Sequence, residues 1–250
     1  MTTIDDKRAE NIWVVVLAGG KGKRMRAKEK NKVTYEISGV PMITRTITIL
    51  KKVGIKKIVV VVGFAKESVT KLLESSVKTV EQKKRLGTGH AVKRALTAIP
   101  SSAQDVLVLN GDDSFLFSAS LFKRLLDDHS QNNSAVTFLT INLKDPTGLG
   151  RIIRDKTGKV IKIVEEKDAT IEQKQIKEIN AACYLFSYQF LKKYVPKLQK
   201  SHITHEYYIV SLIDLAARNG LKIDTLRMEN LKWRGVNTPE ELHEAQKMIS

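Results

Sequence analysis

The stretch IWVVVLAGGKGKRMRAKEKNKV, residues 12–33, decides the fold and raises the question of function. It opens with a continuous apolar run, which is typical of a strand covered on both faces. A glycine-rich loop follows, and seven lysines or arginines lie within the twelve residues 21–32. Glycines allow close approach to the backbone, and consecutive N–H groups can form a nest for an anion. The loop is therefore either a cradle for a polyphosphate or an ordinary solvated turn.

Strands and helices alternate regularly through the first half of the chain. This βαβα order predicts a parallel sheet with right-handed crossovers. The pattern predicts strands at 12–18, 57–63, 77–81 and 105–113, and helices at 41–52, 65–74, 88–98 and 118–128. The second half is less regular, with strands predicted at 134–143, 159–166, 176–186 and 221–226, and helices at 187–195, 204–219 and 238–248. No linker or internal repeat divides the sequence, so we expect a single α/β domain over residues 1–250.

Composition excludes several classes of protein. The single cysteine, Cys183, rules out an intrachain disulfide framework, and its apolar neighbours indicate a small buried hydrophobe. The polar N-terminus lacks the apolar core of a signal peptide, and the longest apolar runs are too short to span a membrane. We therefore expect a soluble cytoplasmic protein without a membrane partner.

The chain is strongly basic, with a formal net charge of +16 from 43 basic and 27 acidic residues. This balance indicates either a polyanionic partner or a general surface bias, and lysines do occur along most of the chain. The sequence shows no basic stripe interleaved with aromatic residues, so we expect no specific nucleic-acid partner.

Three segments end predicted strands and should therefore lie in one cleft, because open α/β sheets bind ligands at the carboxyl ends of their strands. They are the loop after Leu17, the loop at 82–89 and the turn after Leu109. In that turn, Asp112 and Asp113 could hold Mg²⁺, which prefers one or two carboxylates plus substrate phosphates, or could cap the following helix.

The loop at 82–89 also allows two interpretations. The Gln82 amide and the backbone around Gly87 could hydrogen-bond the edge of a nucleobase, and Thr88 could be the N-cap of the next helix. The glycine loop at 19–25 lacks the GxxxxGK[ST] pattern, and Met25 replaces the last glycine of the GxGxxG pattern. Two common nucleotide-binding motifs are thus excluded.

Motifs spread from Leu17 to Asn237 carry a resemblance to a known family. They are LAGGKGKRM with Lys32 after it, EQKKRLGTGHAV, DPTGLGRI, VEEKDAT, IKEIN, HEYYI and GVN, in this order. Together they resemble the nucleotide-sugar pyrophosphorylases, and most of all the uridylyltransferase domain of the bifunctional N-acetylglucosamine-1-phosphate uridylyltransferases. The resemblance implies a Rossmann-like nucleotidyltransferase fold, with a mixed, mostly parallel sheet flanked by helices. It also implies a nucleotide-binding half at about 11–130 and a sugar-binding half at about 131–250.

The resemblance further implies a reaction and a role for each matching residue. UTP and N-acetylglucosamine-1-phosphate would give UDP-N-acetylglucosamine and pyrophosphate, with Mg²⁺ as the cofactor. Catalytic roles fall to Arg24 and Lys32, and metal binding to Asp112 and Asn237. Nucleotide binding falls to Leu17, Ala18, Gly20, Lys21, Gln82, Gly87 and Thr88. Sugar binding falls to Gly150, Glu165, Asn180 and Tyr208.

The chain departs from the family pattern at several positions. Lys23 replaces a small hydroxyl residue, and Val210 stands where threonine is usual. Asn31 replaces the proline before Lys32, which removes a fixed φ and leads us to expect a more mobile loop. Because the loop is one residue longer, Lys28 and Lys30 are alternatives to Lys32. The motif VEEKDAT carries two adjacent glutamates, so Glu166 is an alternative to Glu165, which is chosen by its distance from Asn180.

The sequence ends without the hexapeptide repeats of a left-handed β-helix, so we expect the acetyltransferase half and its trimerisation to be absent. The oligomeric state stays open. Two alternatives remain beside the uridylyltransferase: an enzyme of the same fold with another sugar phosphate or an alcohol phosphate as acceptor, and a nucleotide-sugar sensor without turnover.

Overall fold

The computed structural model describes residues 10–25, 29–229, 231, 233 and 235–249, apart from the side chain of Lys23. The strands are β1 (Ile12–Ala18), β2 (Glu36–Ile37), β3 (Val40–Pro41), β4 (Ile58–Val62), β5 (Lys78–Glu81), β6 (Asp105–Asn110), β7 (Val136–Asn142), β8 (Arg151–Arg154), β9 (Val160–Val164), β10 (Glu178–Ser187) and β11 (Ile223–Met228). The α-helices are α1 (Met42–Lys52), α2 (Lys66–Thr70), α3 (Thr88–Ala95), α4 (Ala119–Asn132), α5 (Ile171–Lys174), α6 (Tyr188–Tyr194), α7 (Ser211–Arg218) and α8 (Pro239–Ile249).

One nine-stranded sheet takes strands from both halves of the chain. Its order is β11-β7-β10-β6-β1-β4-β5, and β8 and β9 extend from β10. Pairs β1/β4, β1/β6, β4/β5 and β7/β11 are parallel, whereas β10 is antiparallel to β6, β7 and β8, and β9 is antiparallel to β8. Strands β9 and β10 thus run in the opposite direction to the other strands of this sheet. This confirms the predicted mixed, mostly parallel sheet flanked by helices.

The central strand β1 is buried on both faces, which explains its uninterrupted apolar sequence. Ile12, Val14 and Val16 pack into the cluster that contains the apolar residues of α1 and α4. Trp13 and Val15 point to the opposite face and pack into the cluster that contains those of α3, α6 and α7. Burial of apolar area at about 25 cal/mol per Å² makes these two layers the main source of stability.

The predicted helix at 204–219 is shorter in the structure, because α7 begins only at Ser211. His205 has a positive φ of 57°, which a helix cannot accommodate. An antiparallel bridge from Lys200 to Tyr207 holds the preceding segment extended at its two ends. The hydroxyl of Ser201 accepts hydrogen bonds from the backbone N–H groups of Ile203 and Thr204 and stabilises the turn between them.

Among the described residues, no helix combines the length and the apolar character needed to cross a membrane. Cys183 lies in β10 and is fully buried, which confirms the prediction from its apolar neighbours. Burial raises the pKa of its thiol well above the ordinary value, and the charge of Asp113 raises it further.

Candidate active site

A cleft of about 840 Å³ opens at the carboxyl edge of β1, β5 and β6. It brings together most of the residues that the sequence singled out, from both halves of the chain. Those in its wall are Leu17, Gly20, Lys21, Arg24, Lys32, Gln82, Gly87, Thr88, Asp112, Gly150, Glu165, Asn180 and Asn237. Two predicted residues, Ala18 and Tyr208, are not part of this wall.

The backbone carbonyls of the glycine loop are turned toward the protein body. Asn31 Nδ2 lies 2.9 Å from the carbonyl oxygen of Ala18 and 3.2 Å from that of Gly20. The carbonyl of Gly19 accepts from the N–H of Phe64 at 3.2 Å. With three successive carbonyls paired inside, the loop presents its other face to the cleft, as an anion-binding nest requires.

Asn31 therefore holds the loop through its side chain, a role that the prediction from its backbone did not include. Its side chain is fully buried, Nδ2 also lies 2.8 Å from the carbonyl of Phe64, and Oδ1 accepts from the N–H of Val33 at 3.2 Å. Its φ of −69° is the value that proline would impose. The backbone N–H, which proline lacks, donates to Ser68 Oγ at 2.9 Å.

Lys32 lies at the polar centre of the cleft. Its ammonium group contacts the Asp112 carboxylate and lies 3.0 Å from Asn237 Oδ1. Two oxygen atoms from distant parts of the chain thus converge on the ammonium group of Lys32. Hard oxygen ligands of this kind also suit Mg²⁺. The pair Asp112 and Asn237 therefore fits the predicted magnesium site.

The position of Asn237 is set by the start of α8. Glu241 Oε2 accepts from the backbone N–H of Asn237 at 2.6 Å and from that of Thr238 at 3.2 Å. The N–H of Val236 donates to the carbonyl of Asp112 at 3.1 Å. These bonds hold the two predicted metal ligands side by side, although they are far apart in sequence.

Of the two alternatives to Lys32, the structure describes only Lys30. Lys30 Nζ lies 4.3 Å from the centre of the Tyr35 ring and contributes to a cation–π contact, not to the cleft wall. Lys28 lies outside the described residues, as does the side chain of Lys23. Arg24 is exposed at the mouth of the cleft.

Asp113 places a second carboxyl group beside Asp112. Burial raises its pKa well above the ordinary value, and the charge of Asp112 raises it further. The amide of Asn110, 3.1 Å from Asp113 Oδ2, and the charge of Lys32 act in the opposite direction. The protonated, uncharged form of Asp113 is thus favoured, which leaves Asp112 as the carboxylate beside Lys32.

The second loop of the cleft is held in place by the segment that precedes α7. Gly87 has a φ of 99°, and a Cβ there would lie 2.5 Å from the carbonyl oxygen of Tyr207. Only glycine fits such a conformation and approach. Tyr207 N–H donates to the carbonyl of Leu86 at 2.8 Å, and Gly89 N–H donates to that of Tyr207 at 2.7 Å.

The N-cap interpretation of Thr88 is wrong, whereas its contact with the nucleotide stays a prediction. Helix α3 begins at Thr88 with Gly87 as its N-cap, so the threonine is not the capping residue. Its hydroxyl accepts from the N–H of Ile209 at 2.9 Å and adds a third link between the two segments. Gln82, only 5% exposed, directly follows β5 and lies beside them in the cleft wall.

The opposite wall brings Gly150, Glu165 and Asn180 together. A Cβ at Gly150 would lie 3.7 Å from both Glu165 Oε1 and the Cβ of Asn180, and Asn180 N–H donates to the carbonyl of Gly150 at 2.9 Å. Burial raises the pKa of Glu165, and the charge of Asp168 raises it further. Glu166 points elsewhere and pairs with the buried Arg151 at 2.7 Å.

Tyr208 lies in the wall of a neighbouring cavity of about 560 Å³. Its hydroxyl is 2.6 Å from Thr204 Oγ1. Glu165 and Val210 line both cavities, so they form the boundary between them. Ala18 is buried and contributes only its carbonyl, which Asn31 holds.

Several cleft residues were missed by sequence reasoning. Tyr184 looked like part of an apolar core strand, yet it lines the cleft and its hydroxyl accepts from Asn180 Nδ2. Tyr184 lies four residues after Asn180 in the same strand, and residues at even spacing share one face of a strand. This spacing could have indicated that Tyr184 faces the cleft. The basic run Lys83, Lys84 and Arg85 also lines the cleft, and its position right after Gln82 could have indicated this.

Comparison with known proteins agrees with this geometry. The family model described as nucleotidyl transferase matches residues 13–250. The bifunctional protein GlmU of Thermoanaerobacter pseudethanolicus is 39% identical over 240 residues, which are 96% of this chain and 52% of the relative. GlmU of Caldicellulosiruptor saccharolyticus is 41% identical over 238 residues, which are 94% of this chain and 51% of that relative. The chain spans about half the length of these curated relatives.

A solved structure shares the fold. It is a protein of Bacillus anthracis, provisionally assigned as a glucose-1-phosphate thymidylyltransferase, in complex with a sucrose. The TM-score is 0.79 with 21% sequence identity, and the likeness covers 95% of this chain and 94% of the other. The match to the family model over nearly the whole sequence assigns this chain to the nucleotidyl transferase family.

Proposed function

We propose that this protein is a Mg²⁺-dependent sugar-1-phosphate uridylyltransferase that converts UTP and N-acetylglucosamine-1-phosphate to UDP-N-acetylglucosamine and pyrophosphate. One observation carries the proposal: a single cleft holds a basic glycine loop, an amide beside a helix start, a Lys–Asp–Asn centre, and a half-buried glutamate beside a buried asparagine. These are the parts needed for a triphosphate, a base, a metal and a sugar, respectively.

The reaction needs no nucleophile from the protein. An oxygen of the sugar phosphate attacks the α-phosphorus of UTP, a new P–O bond forms, and the bond to the bridging oxygen of pyrophosphate breaks. Because both substrates are polyanions, the main tasks are positioning and charge neutralisation. Lys32, Lys21 and Arg24 provide positive charge in the cleft wall, and the nest of the glycine loop would hold phosphate oxygens.

Mg²⁺ would be held by Asp112 and Asn237 and would neutralise phosphate charge during the transfer. The ammonium of Lys32, which now neutralises Asp112, would then serve the substrate phosphates. Half-buried Glu165 and the Asn180 amide offer acceptors and a donor for sugar hydroxyl and acetamido groups. Such groups are most effective when they are held in place before the substrate arrives.

A second candidate is transfer to a different phosphorylated acceptor. Val210 lines the cleft at a position where the family pattern has threonine, so one hydroxyl is missing from the wall shared with Glu165. A site that hydrogen-bonds a substrate group rejects analogues that lack that group. Loss of the protein's hydrogen-bonding partner therefore changes which acceptor the enzyme prefers. This observation favours an acceptor with one polar group fewer on that side.

The test is pyrophosphate release, measured for UTP, dTTP, CTP and ATP against N-acetylglucosamine-1-phosphate, glucose-1-phosphate and alcohol phosphates. We expect turnover with Mg²⁺, none with EDTA, and the highest kcat/KM for UTP with N-acetylglucosamine-1-phosphate. A higher value with another acceptor would establish the second candidate. Binding of UDP-sugars without any turnover across the panel would instead identify a sensor and contradict the proposed reaction.

A further inference from the structure

We propose that His90 is a positioning residue for base selection: its imidazole holds the Gln82 amide so that Gln82 Oε1 is the atom offered to the base. The inference rests on the proposed function, because it concerns the nucleotide end of the same cleft. It adds a residue on α3 that lies outside the cleft wall and acts only through Gln82.

The orientation of the Gln82 amide follows from its two neighbours. Gln82 Nε2 lies 3.0 Å from the carbonyl oxygen of Gly87 and 3.0 Å from His90 Nδ1. A carbonyl oxygen can only accept, so the amide nitrogen must face it. Each of the two N–H bonds of that nitrogen then has one acceptor, Gly87 O and His90 Nδ1.

This arrangement fixes the state of the histidine. Nδ1 can accept from Gln82 only if it carries no proton, so the neutral ring has its proton on Nε2. Burial lowers the pKa of His90, and the positive charges of Arg94 and Lys93 lower it further. A backbone hydrogen bond with Lys84 raises it in part. The neutral form that accepts from Gln82 is thus favoured by its surroundings.

With both N–H groups engaged, the amide oxygen is the remaining functional atom. Gln82 Oε1 lies on the glycine-loop side, 3.1 Å from where a Cβ at Gly19 would be. An acceptor there matches the N3–H donor of uracil or thymine. Cytosine is the same size but presents an acceptor at N3, so it would face Oε1 with repulsion instead of a hydrogen bond. The geometry therefore selects pyrimidines that carry an N3 proton.

The test compares His90→Ala and His90→Asn, with exposed His243→Ala as the matched control. The measurement is kcat/KM for UTP and for CTP. Without the ring only the Gly87 carbonyl still holds the amide nitrogen, so the amide is less firmly fixed. His90→Ala should therefore lower the UTP/CTP ratio about tenfold, mainly through a higher KM for UTP, which is the size of one hydrogen bond. Asparagine can place an oxygen near the position of Nδ1, so His90→Asn should restore most of the ratio.

A second readout separates this inference from the proposed reaction. In ¹⁵N spectra of the wild-type protein, His90 Nδ1 should show the shift of an unprotonated ring nitrogen. A protonated Nδ1, or an unchanged UTP/CTP ratio in folded His90→Ala, would overturn the role of His90 while uridylyl transfer stands. A wild-type protein that neither binds nor uses UTP would overturn the proposed function, and the base-selection claim with it.

Discussion

The two walls of the cleft are built differently. On the glycine-loop wall, defined by residues 19–25, Asn31, Lys32 and Gln82, polar side chains are already paired: Asn31 contacts three carbonyls and Gln82 contacts Gly87 and His90. On the Gly150 wall, defined by Gly150, Glu165 and Asn180, the Asn180 amide is also paired, with Tyr184. Glu165 differs, because burial and a neighbouring negative charge both raise the pKa of its carboxyl group.

This difference separates what is preorganised from what awaits a substrate. Groups that are fixed in advance cost no reorganisation when charge develops, which suits the phosphate and base end common to a family of transferases. A buried carboxyl group gains when a ligand donates a hydrogen bond to it. We therefore expect the Gly150 wall to determine which sugar phosphate or other acceptor is used.

The largest effect should come from the Lys–Asp–Asn centre. Asp112→Asn removes the charge that holds Lys32 and the predicted metal, so we expect kcat to fall by about 10³-fold or more, as for the loss of a preorganised electrostatic group. Steady-state pyrophosphate release measures this. Asp128→Asn on α4 is the control and should retain full activity. A kcat within tenfold of wild type would remove Asp112 from the mechanism.

The next effect concerns the order of the glycine loop. Asn31→Asp loses the donor shared by three carbonyls and buries a charge, so the free energy of unfolding should fall by about 3 kcal/mol. Urea denaturation measures this, together with the KM for UTP, which should rise. Exposed Asn132→Asp should leave both values unchanged. If Asn31→Pro matched wild type in both, the side-chain bonds of Asn31 would contribute nothing.

A smaller effect distinguishes two adjacent glutamates on the Gly150 wall. Glu165→Gln should raise the KM for the sugar phosphate about tenfold and leave that for UTP unchanged, since one charged hydrogen bond is weakened. Glu166→Gln breaks the pair with buried Arg151 and should lower the melting temperature while both KM values stay the same. Exchange of these two outcomes would show that Glu166, not Glu165, serves the substrate.

The smallest effect is expected at Tyr208. Because its hydroxyl bonds Thr204 in the neighbouring cavity, Tyr208→Phe should change the KM for the sugar phosphate less than about twofold, within the range of a lost exposed hydrogen bond. Thr204→Val, which removes the other partner, should behave alike. A tenfold rise in Tyr208→Phe alone would mean that the hydroxyl reaches the sugar and that this segment moves on binding.

The sequence predicted the sheet, its open edge and the three loops that meet there, because apolar periodicity and strand ends are local patterns. It also placed Lys32, Asp112 and Gln82 in one cleft by this reasoning. The side-chain role of Asn31 was missed since only its backbone was considered. Its side-chain partners Ala18, Gly20 and Phe64 lie 11 to 33 residues away, and no local pattern reports such contacts.

The Gly150 wall was harder to predict because its shape depends on irregular backbone. The pairing of β10 with β7 shifts between Asn180 and Tyr184, and Ala182 has a positive φ of 53°. Alanine rarely adopts this conformation, so nothing in the apolar run indicated a break. Tyr208 was assigned from the family resemblance, whereas in the structure its hydroxyl bonds Thr204 and its side chain lines the other cavity.

The central claim is that the nucleotide and the sugar occupy opposite walls of one cleft. A crystal structure with UDP-N-acetylglucosamine and Mg²⁺ tests it most directly. We predict the uracil against Gln82 and Gly87, the metal on Asp112 and Asn237, and the sugar between Asn180 and Glu165. Density for the sugar in the cavity of Tyr208, or for the base away from Gln82, would contradict the account.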